Sequence, residues 1–378
     1  MVAEIAYACV LLVGAGLLIR SFMRVLDVDL GFRPERAAAM RVDPGTGLNT
    51  AEQFNNYWNE VLKRVRDIPG VEAAGISDVL PLGVNRSWGA GVKGRQYPPD
   101  QYPNAFVRVV SDGYIRSMGI PLRAGRDLTE RDGPGAPVVL LINETLARTL
   151  FPGENPIGQI IGEHPERRIV GVVGDVRHLS PEAGAGNEMY LSIRQTRDWG
   201  EADLVVRTKL PPATLAGTVR AALKPIQPNL PANDFRTLQQ LVDKAVSPRR
   251  FLVLLLGGFA LFALVLASLG IYGVISYTVS QRAQEIGIRM ALGASAGGLQ
   301  RRILRQTLRL AAIGMAVGTV TSWALARAVG GLLFGVTATD PVTFGGMLAV
   351  LTAVAAVAGY LPARRATRSD PMAALRAS

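Results

Sequence analysis

The stretch Phe251-Leu-Val-Leu-Leu-Leu-Gly-Gly-Phe-Ala-Leu-Phe-Ala-Leu-Val-Leu-Ala-Ser-Leu-Gly-Ile-Tyr-Gly-Val-Ile-Ser-Tyr-Thr-Val-Ser-Gln281 contains no charged side chain. As a helix it exceeds the roughly 20 residues that cross a hydrocarbon core, so it predicts a span that tilts or extends into water. Ser247-Pro248 just before it reads as a helix start, an N-cap serine followed by proline at the first position. Two further charge-free runs follow, Leu310–Ala326 and Pro341–Ala363. Together they predict three membrane helices at about 251–275, 308–331 and 342–362. A fourth apolar run, Ile5–Ile19 extended by Phe22 and Met23, predicts a first membrane helix over 1–26, with Arg20 and Arg24 free to snorkel. A signal peptide is the alternative for this run. It requires a positive start and a small-x-small cleavage site, and Met1-Val-Ala-Glu4 supplies no positive charge.

The 378 residues are 49% hydrophobic, and the apolar residues concentrate at the start and in the last third, which is a membrane pattern. The formal net charge of +11 fits either nucleic acid or a membrane protein with basic loops. Arginines in short blocks beside apolar runs favour the membrane, so no nucleic-acid partner is expected. Cys9 is the single cysteine, which excludes an internal disulfide and a cysteine-based zinc or iron–sulfur site.

Orientation follows from the flanks. The segment between the second and third helices carries Arg282, Arg289, Arg301, Arg302, Arg305 and Arg309 against Glu285 alone. The tail carries Arg364, Arg365, Arg368 and Arg376, whereas the loop before the last helix has only Asp340. The positive-inside bias makes the loop 276–307 and the tail 363–378 cytoplasmic, and 27–248 extracytoplasmic. Residues 27–248 have ordinary polarity and read as an α/β domain. Thr50-Ala-Glu-Gln53 is a capping-box pattern ahead of a helical stripe from Phe54 to Val65. Strands are predicted at Val71–Ser77, Phe106–Val110, Pro137–Ile142, Ile169–Val173, Met189–Ile193 and Leu204–Arg207. Helices are predicted at Glu144–Leu150, Pro212–Leu223 and Leu238–Val246.

Ser280-Gln-Arg-Ala-Gln-Glu-Ile-Gly-Ile-Arg-Met-Ala-Leu-Gly-Ala294 predicts a short amphipathic helix. Ile286 and Met290 fall near one face, and Arg282, Glu285 and Arg289 on another. Glu285 and Arg289 form an i,i+4 pair of the favourable order, and Gly293 suits a C-cap. By pattern alone such a helix docks on a protein partner or lies on anionic lipid.

The stretch Gly270-Ile-Tyr-Gly-Val-Ile-Ser-Tyr277 with Arg282 to Ala294 resembles the permease subunits of MacB/FtsX-type ABC transporters. The tail Pro362-Ala-Arg-Arg-Ala-Thr-Arg-Ser-Asp-Pro-Met-Ala-Ala-Leu-Arg376 and Asp340-Pro341 are similar to the same family. The layout agrees over the whole chain: four membrane helices, arranged one plus three, around an inserted extracytoplasmic domain of the MacB periplasmic type. Val13-Gly-Ala-Gly-Leu-Leu-Ile-Arg-Ser21 with Gly31-Phe32 resembles the duplicated permeases, in which this unit occurs twice. The chain is then the second half of such a permease or a short relative.

The resemblance implies a plasma-membrane protein working with a cytoplasmic ABC ATPase subunit and a second permease unit. Residues 282–294 would dock on the ATPase, and its motion would pass through the membrane helices to the outer domain, a mechanotransmission that drives efflux or release. Arg282, Glu285 and Arg289 would make polar contacts, Ile286 and Met290 apolar ones, Gly287 a close approach, and Gly293 would end the helix. The same segment separates this reading from a membrane-anchored binding or scaffold module, which needs no such helix.

No Walker A sequence occurs, so ATPase activity is expected in a partner, with no cofactor and no catalytic constellation here. Gly89-Ala-Gly-Val-Lys-Gly94 matches G-x-G-x-x-G, but Arg-Gln-Tyr-Pro-Pro after it cannot begin a helix well, so a turn is expected. His164 and His178 read as surface residues, and Asp127, Glu130 and Asp132 as a solvated loop. No membrane run holds a central Asp, Glu, Lys or His, which counts against an ion or proton pathway. Gly257-Gly258 and Gly314-x-x-x-Gly318 suit close helix packing.

Overall fold

The computed structural model describes the chain except residues 46–47, 49, 99, 163–164, 197–199, 229–234, 283–287, 289–294, 329 and 367–378. It divides into two compact units, Val28–Ser247 and the pair of segments Met1–Asp27 and Pro248–Ser378.

The Val28–Ser247 unit is built on one mixed sheet. Its strands are β1 (Ala37–Val42), β2 (Val71–Ser77), β3 (Ser87–Gly89), β4 (Asn104–Val110), β5 (Leu122–Gly125), β6 (Val139–Asn143), β7 (Ile160–Ile161), β8 (Arg167–Val173), β9 (Glu188–Ser192), β10 (Ala202–Thr208) and β11 (Arg236–Thr237). The order is β11-β1-β10-β2-β4-β9-β6-β8-β5, with β3 on β4 and β7 on β8. Pairs β4–β9 and β6–β8 are parallel and the other pairs antiparallel. The central strands are apolar on both faces because both faces are covered. Leu140 and Ile142 point to one core, whereas Val139 and Leu141 point to the other. Leu204 and Val206 likewise oppose Val205.

Helices cover the first face. These are α2 (Ala51–Arg66), which contributes Trp58, Val61, Leu62 and Val65, together with α4 (Glu144–Leu150) and α5 (Ala216–Leu223). The expected capping box forms: Gln53 N donates to Thr50 Oγ1 and Thr50 N to Gln53 Oε1, both at 3.2 Å. The second face carries α3 (Tyr114–Met118). The expected strands and the helix at 144–150 are all present, and β1, β3, β5, β7 and β11 are additional. After Gly89 the chain turns, with Gly94 at φ +78°, and no helix follows.

The expected surface position of His178 is wrong. It is 3% exposed, with Nε2 2.5 Å from Glu188 Oε1. Glu188 also lies 3.2 Å from Arg108 Nε and accepts from Tyr190 Oη at 2.7 Å. Arg108 is fully buried on β4, and burial holds the Tyr190 hydroxyl well above its ordinary pKa. A charge on a strand covered on both faces demands a partner, and Glu188 on the adjoining β9 supplies it. His164 lies outside the described residues. Among the described residues no three His, Cys, Asp or Glu side chains come together as metal ligands would.

The other unit contains α1 (Val2–Leu26), α6 (Leu238–Gln281, which begins in the first unit), α7 (Ala296–Ala328) and α8 (Pro341–Ala366). All four are long and apolar enough to cross a membrane. The expected helix over Leu238–Val246 is present, but the separate helix start expected at Ser247 is corrected. Helix α6 begins at Leu238 and runs through Pro248. Its cap is a second capping box: Gln240 N donates to Thr237 Oγ1 at 3.1 Å and Thr237 N to Gln240 Oε1 at 3.0 Å. Proline at 248 lacks the N–H that would reach the carbonyl of residue 244, a local cost that does not end the helix.

Replacing Arg108 by methionine strands the Glu188 carboxylate in the core. A loss of about 3–5 kcal/mol is expected. Denaturant unfolding of Arg108→Met beside the double variant Arg108→Met/Glu188→Gln checks it, with the double variant recovering part of the loss.

Candidate functional site: the membrane bundle

Helices α1 and α7 are separated by most of the sequence yet lie in van der Waals contact. Along α7 the positions Ala311, Gly314, Gly318, Ser322 and Ala326 recur at helical spacing and form a stripe of small side chains. A Cβ added at Gly314 would lie 2.9 Å from Ile5 Cβ and from Val2 O. At Gly318 it would lie 2.6 Å from Cys9 Cβ and 2.9 Å from Ala6 O. Helix α1 answers with Ile5, Ala8, Cys9 and Val13, all buried. Cys9 Sγ is 3.9 Å from Thr319 Oγ1. The Ser322 hydroxyl donates back to Gly318 O at 2.6 Å, so its polarity is satisfied within the helix. In lipid there is no hydrophobic gain on association, and close backbone approach through small residues supplies dispersion contact instead. Gly257 and Gly258 on α6 have open space around them, contrary to the expectation of close packing there.

At the C-terminal end of α1 two adjacent side chains tie three segments together. Arg20 forms an ion pair with Asp340, whose Oδ2 also accepts from Thr343 N at 2.9 Å and from Thr343 Oγ1 at 2.6 Å. Asp340 is therefore both the N-cap of α8 and the anchor of α1. Arg20 is thus held by Asp340 rather than free to snorkel. Ser21, fully buried, accepts from Phe334 N at 2.8 Å and from Arg249 Nη1 at 3.3 Å. Arg327 lies over the Trp323 ring, 4.6 Å from its centroid.

At the opposite end the structure reaches Arg282, which is exposed at the close of α6. The other residues expected to dock a partner, Glu285, Ile286, Gly287, Arg289, Met290 and Gly293, lie outside the described residues. The sequence reading passed over Ser21 and the Arg20–Asp340 pair. The available signal was Asp340-Pro-Val-Thr343, an N-cap pattern facing an arginine at the end of another span.

In the Val28–Ser247 unit the expected solvated acidic loop is partly ordered. Asp132 is buried and accepts from Arg126 at 2.7 and 2.8 Å and from Thr129 N at 2.8 Å. Burial opposes its ionisation, but Arg126 and the Thr129 donors outweigh it and hold the carboxyl below its usual range. Burial pushes the neighbouring Asp127 up. A cleft of about 560 Å³ beside α4 is lined by Arg33, Arg123, Glu144, Arg148 and Asp175 among others. The Arg148–Asp175 and Arg123–Glu144 pairs, at 2.9 and 3.4 Å, offset four of its charges within the cleft.

Comparison with known proteins fits this arrangement. Residues 5–226 match the MacB-like periplasmic core domain and residues 257–371 the FtsX-like permease C-terminal region. The chain belongs to the MacB/FtsX-type ABC permease family. It is 30% identical to a pyoverdine export ATP-binding/permease protein of Pseudomonas aeruginosa, over 72% of this chain and 42% of that one. It is 25% identical to the ABC transporter permease YknZ of Bacillus subtilis, over 82% of this chain and 78% of the relative. The periplasmic region of MacB from Actinobacillus actinomycetemcomitans aligns over 58% of this chain and 97% of that structure, with 16% identity and a TM-score of 0.37. The chain spans less than half the length of the ATP-binding/permease relatives it matches first. As a MacB-type permease it is an integral membrane protein with an extracytoplasmic domain.

A Cβ at Gly318 has no room against Cys9 and Ala6, whereas one at Gly257 meets nothing within 4 Å. Gly318→Ala is expected to cost about 1–3 kcal/mol by overpacking, and Gly257→Ala to carry no such cost. Thermal unfolding of the two variants in one detergent compares them directly.

Proposed function

We propose that this chain is the transmembrane unit of an ABC exporter, driven by a separate cytoplasmic ATP-binding subunit and paired with a second permease unit. The observation that carries the reading is the match of both permease modules in one chain, the second of which contains the Arg-rich segment between α6 and α7. The Arg-rich loop and tail face the cytoplasm by the positive-inside bias. ATP-driven closure of the partner would push on residues 282–294. Two helices leave that segment's neighbourhood with different tasks. Helix α7 carries the small-residue stripe against α1, and α6 leads back towards the extracytoplasmic domain.

Coupling requires that the partner make different contacts in two states of the permease. The bundle favours this. Its end at Arg20, Ser21 and Asp340 is tied by buried hydrogen bonds and an ion pair, so force applied at the other end moves packed helices rather than loose ones. The cargo would be handled by the extracytoplasmic domain, as efflux or as release from the membrane surface. The chain itself would carry out no catalysis.

The test is recovery of an ATP-binding subunit with the chain from solubilised membranes of the producing cell. Wild type is compared with the double variant Glu285→Arg/Gly287→Trp. Recovery with wild type and at least tenfold less with the variant, about 1.4 kcal/mol or more of lost docking, is expected. Equal recovery removes the docking assignment and favours an anchored extracytoplasmic module.

A further inference from the structure

Helices α6 and α8 do not close against each other along the half of the membrane that ends at Tyr272 and Leu361. Between them lies a groove of about 490 Å³, lined by Leu264, Val265, Leu269, Val357, Ala358 and Leu361 and by Tyr272 at one end. Its wall is apolar. From Leu264 to Tyr272 it runs on the order of 12 Å along α6, close to the depth of one leaflet's hydrocarbon. One turn beyond Leu361, the exposed Arg365 donates from Nη1 to Tyr272 Oη at 2.7 Å. That bond fixes a guanidinium at the mouth of the groove, and Arg364 is exposed beside it.

We propose that this groove is a binding site for an anionic phospholipid, one acyl chain lying between α6 and α8 and the phosphate facing Arg365. The argument is charge complementarity at one end and length along the rest. A transmembrane helix from a second copy would place no anion at Arg365. A single lipid of the leaflet on the Arg365 side fits both features. In the orientation proposed above this is the inner leaflet, but the site's chemistry does not depend on the ATPase partner. The lipid would hold α6 and α8 at a set spacing where few protein contacts do so, and would make the membrane's anionic lipid a cofactor of the bundle.

The experiment uses the whole chain, purified in a neutral detergent. Phosphatidylglycerol and phosphatidylcholine with identical acyl chains are added in separate titrations, read by thermal unfolding and by native mass spectrometry of retained lipid. Wild type is expected to retain phosphatidylglycerol about fivefold more tightly than phosphatidylcholine, the preference one basic residue gives near a lipid phosphate. Arg365→Gln is expected to abolish the preference while keeping weak retention of both lipids. Val357→Trp, which fills the groove, is expected to lose retention of both. Equal retention of the two lipids by wild type overturns the proposal. So does a wild-type dimer that Val357→Trp converts to monomer with lipid retention unchanged, which would assign the groove to a second copy. The wild-type lipid preference needs no variant, so misfolding of either variant leaves the test intact.

Discussion

The approach of α7 to α1 through Gly314 and Gly318 is the constraint on which the membrane half depends. Nothing in lipid pulls two apolar helices together except the contacts they can make. With hydrogen as the side chain at two positions one turn apart, the α7 backbone reaches Ile5, Ala6 and Cys9 of α1. This contact joins the first span to a set of helices encoded more than two hundred residues later. The remaining contacts build on it. Gly16 of α1 meets Thr343 and Met347 of α8, and Ile271 and Ile275 of α6 join Ile5 and Ala311 in one buried cluster.

The polar ties at the end of α1 make the arrangement specific. Dispersion contacts along a stripe of small residues permit sliding by a turn. An ion pair from Arg20 to the N-cap of α8, and a buried serine that accepts from both Phe334 and Arg249, do not. A slipped helix would leave these groups unpaired at the membrane edge, at the desolvation cost of each. One end of the bundle is fixed by such groups, while the segment read as the partner's contact lies at the other. A fixed end is what the proposed mechanical coupling requires, and spans with no central Asp, Glu, Lys or His agree with it.

Much of this was legible in the sequence because the signals were local. Charge-free runs gave the four spans, short apolar runs gave six central strands, and Thr50–Gln53 gave the start of α2. The short edge strands carry no such pattern, since β7 and β11 have two residues each. The helix start at Leu238 was read and its Thr237–Gln240 cap was as readable as Thr50–Gln53, but the serine–proline pair ten residues on split one continuous helix into two. His178 was misplaced for a different reason. Its burial depends on Glu188 and Arg108, which chain folding brings together and spacing does not reveal. The spacing of Gly314 and Gly318 is in the sequence, but the helix they face is a tertiary fact.

The most direct measurement uses the native Cys9 as its reporter. Substituting Thr319→Cys places a second thiol beside it, where Cys9 Sγ and Thr319 Oγ1 now stand 3.9 Å apart. Membranes bearing this chain are treated with a lipid-soluble oxidant, then unfolded and titrated with a thiol-reactive mass tag. A seam formed as described predicts rapid loss of both free thiols within one chain, restored by reductant, while Val320→Cys as a control stays reactive. Persistence of both thiols in the Thr319→Cys chain, or crosslinks formed only between chains, would contradict the packing of α1 on α7 and with it the bundle on which the functional account rests.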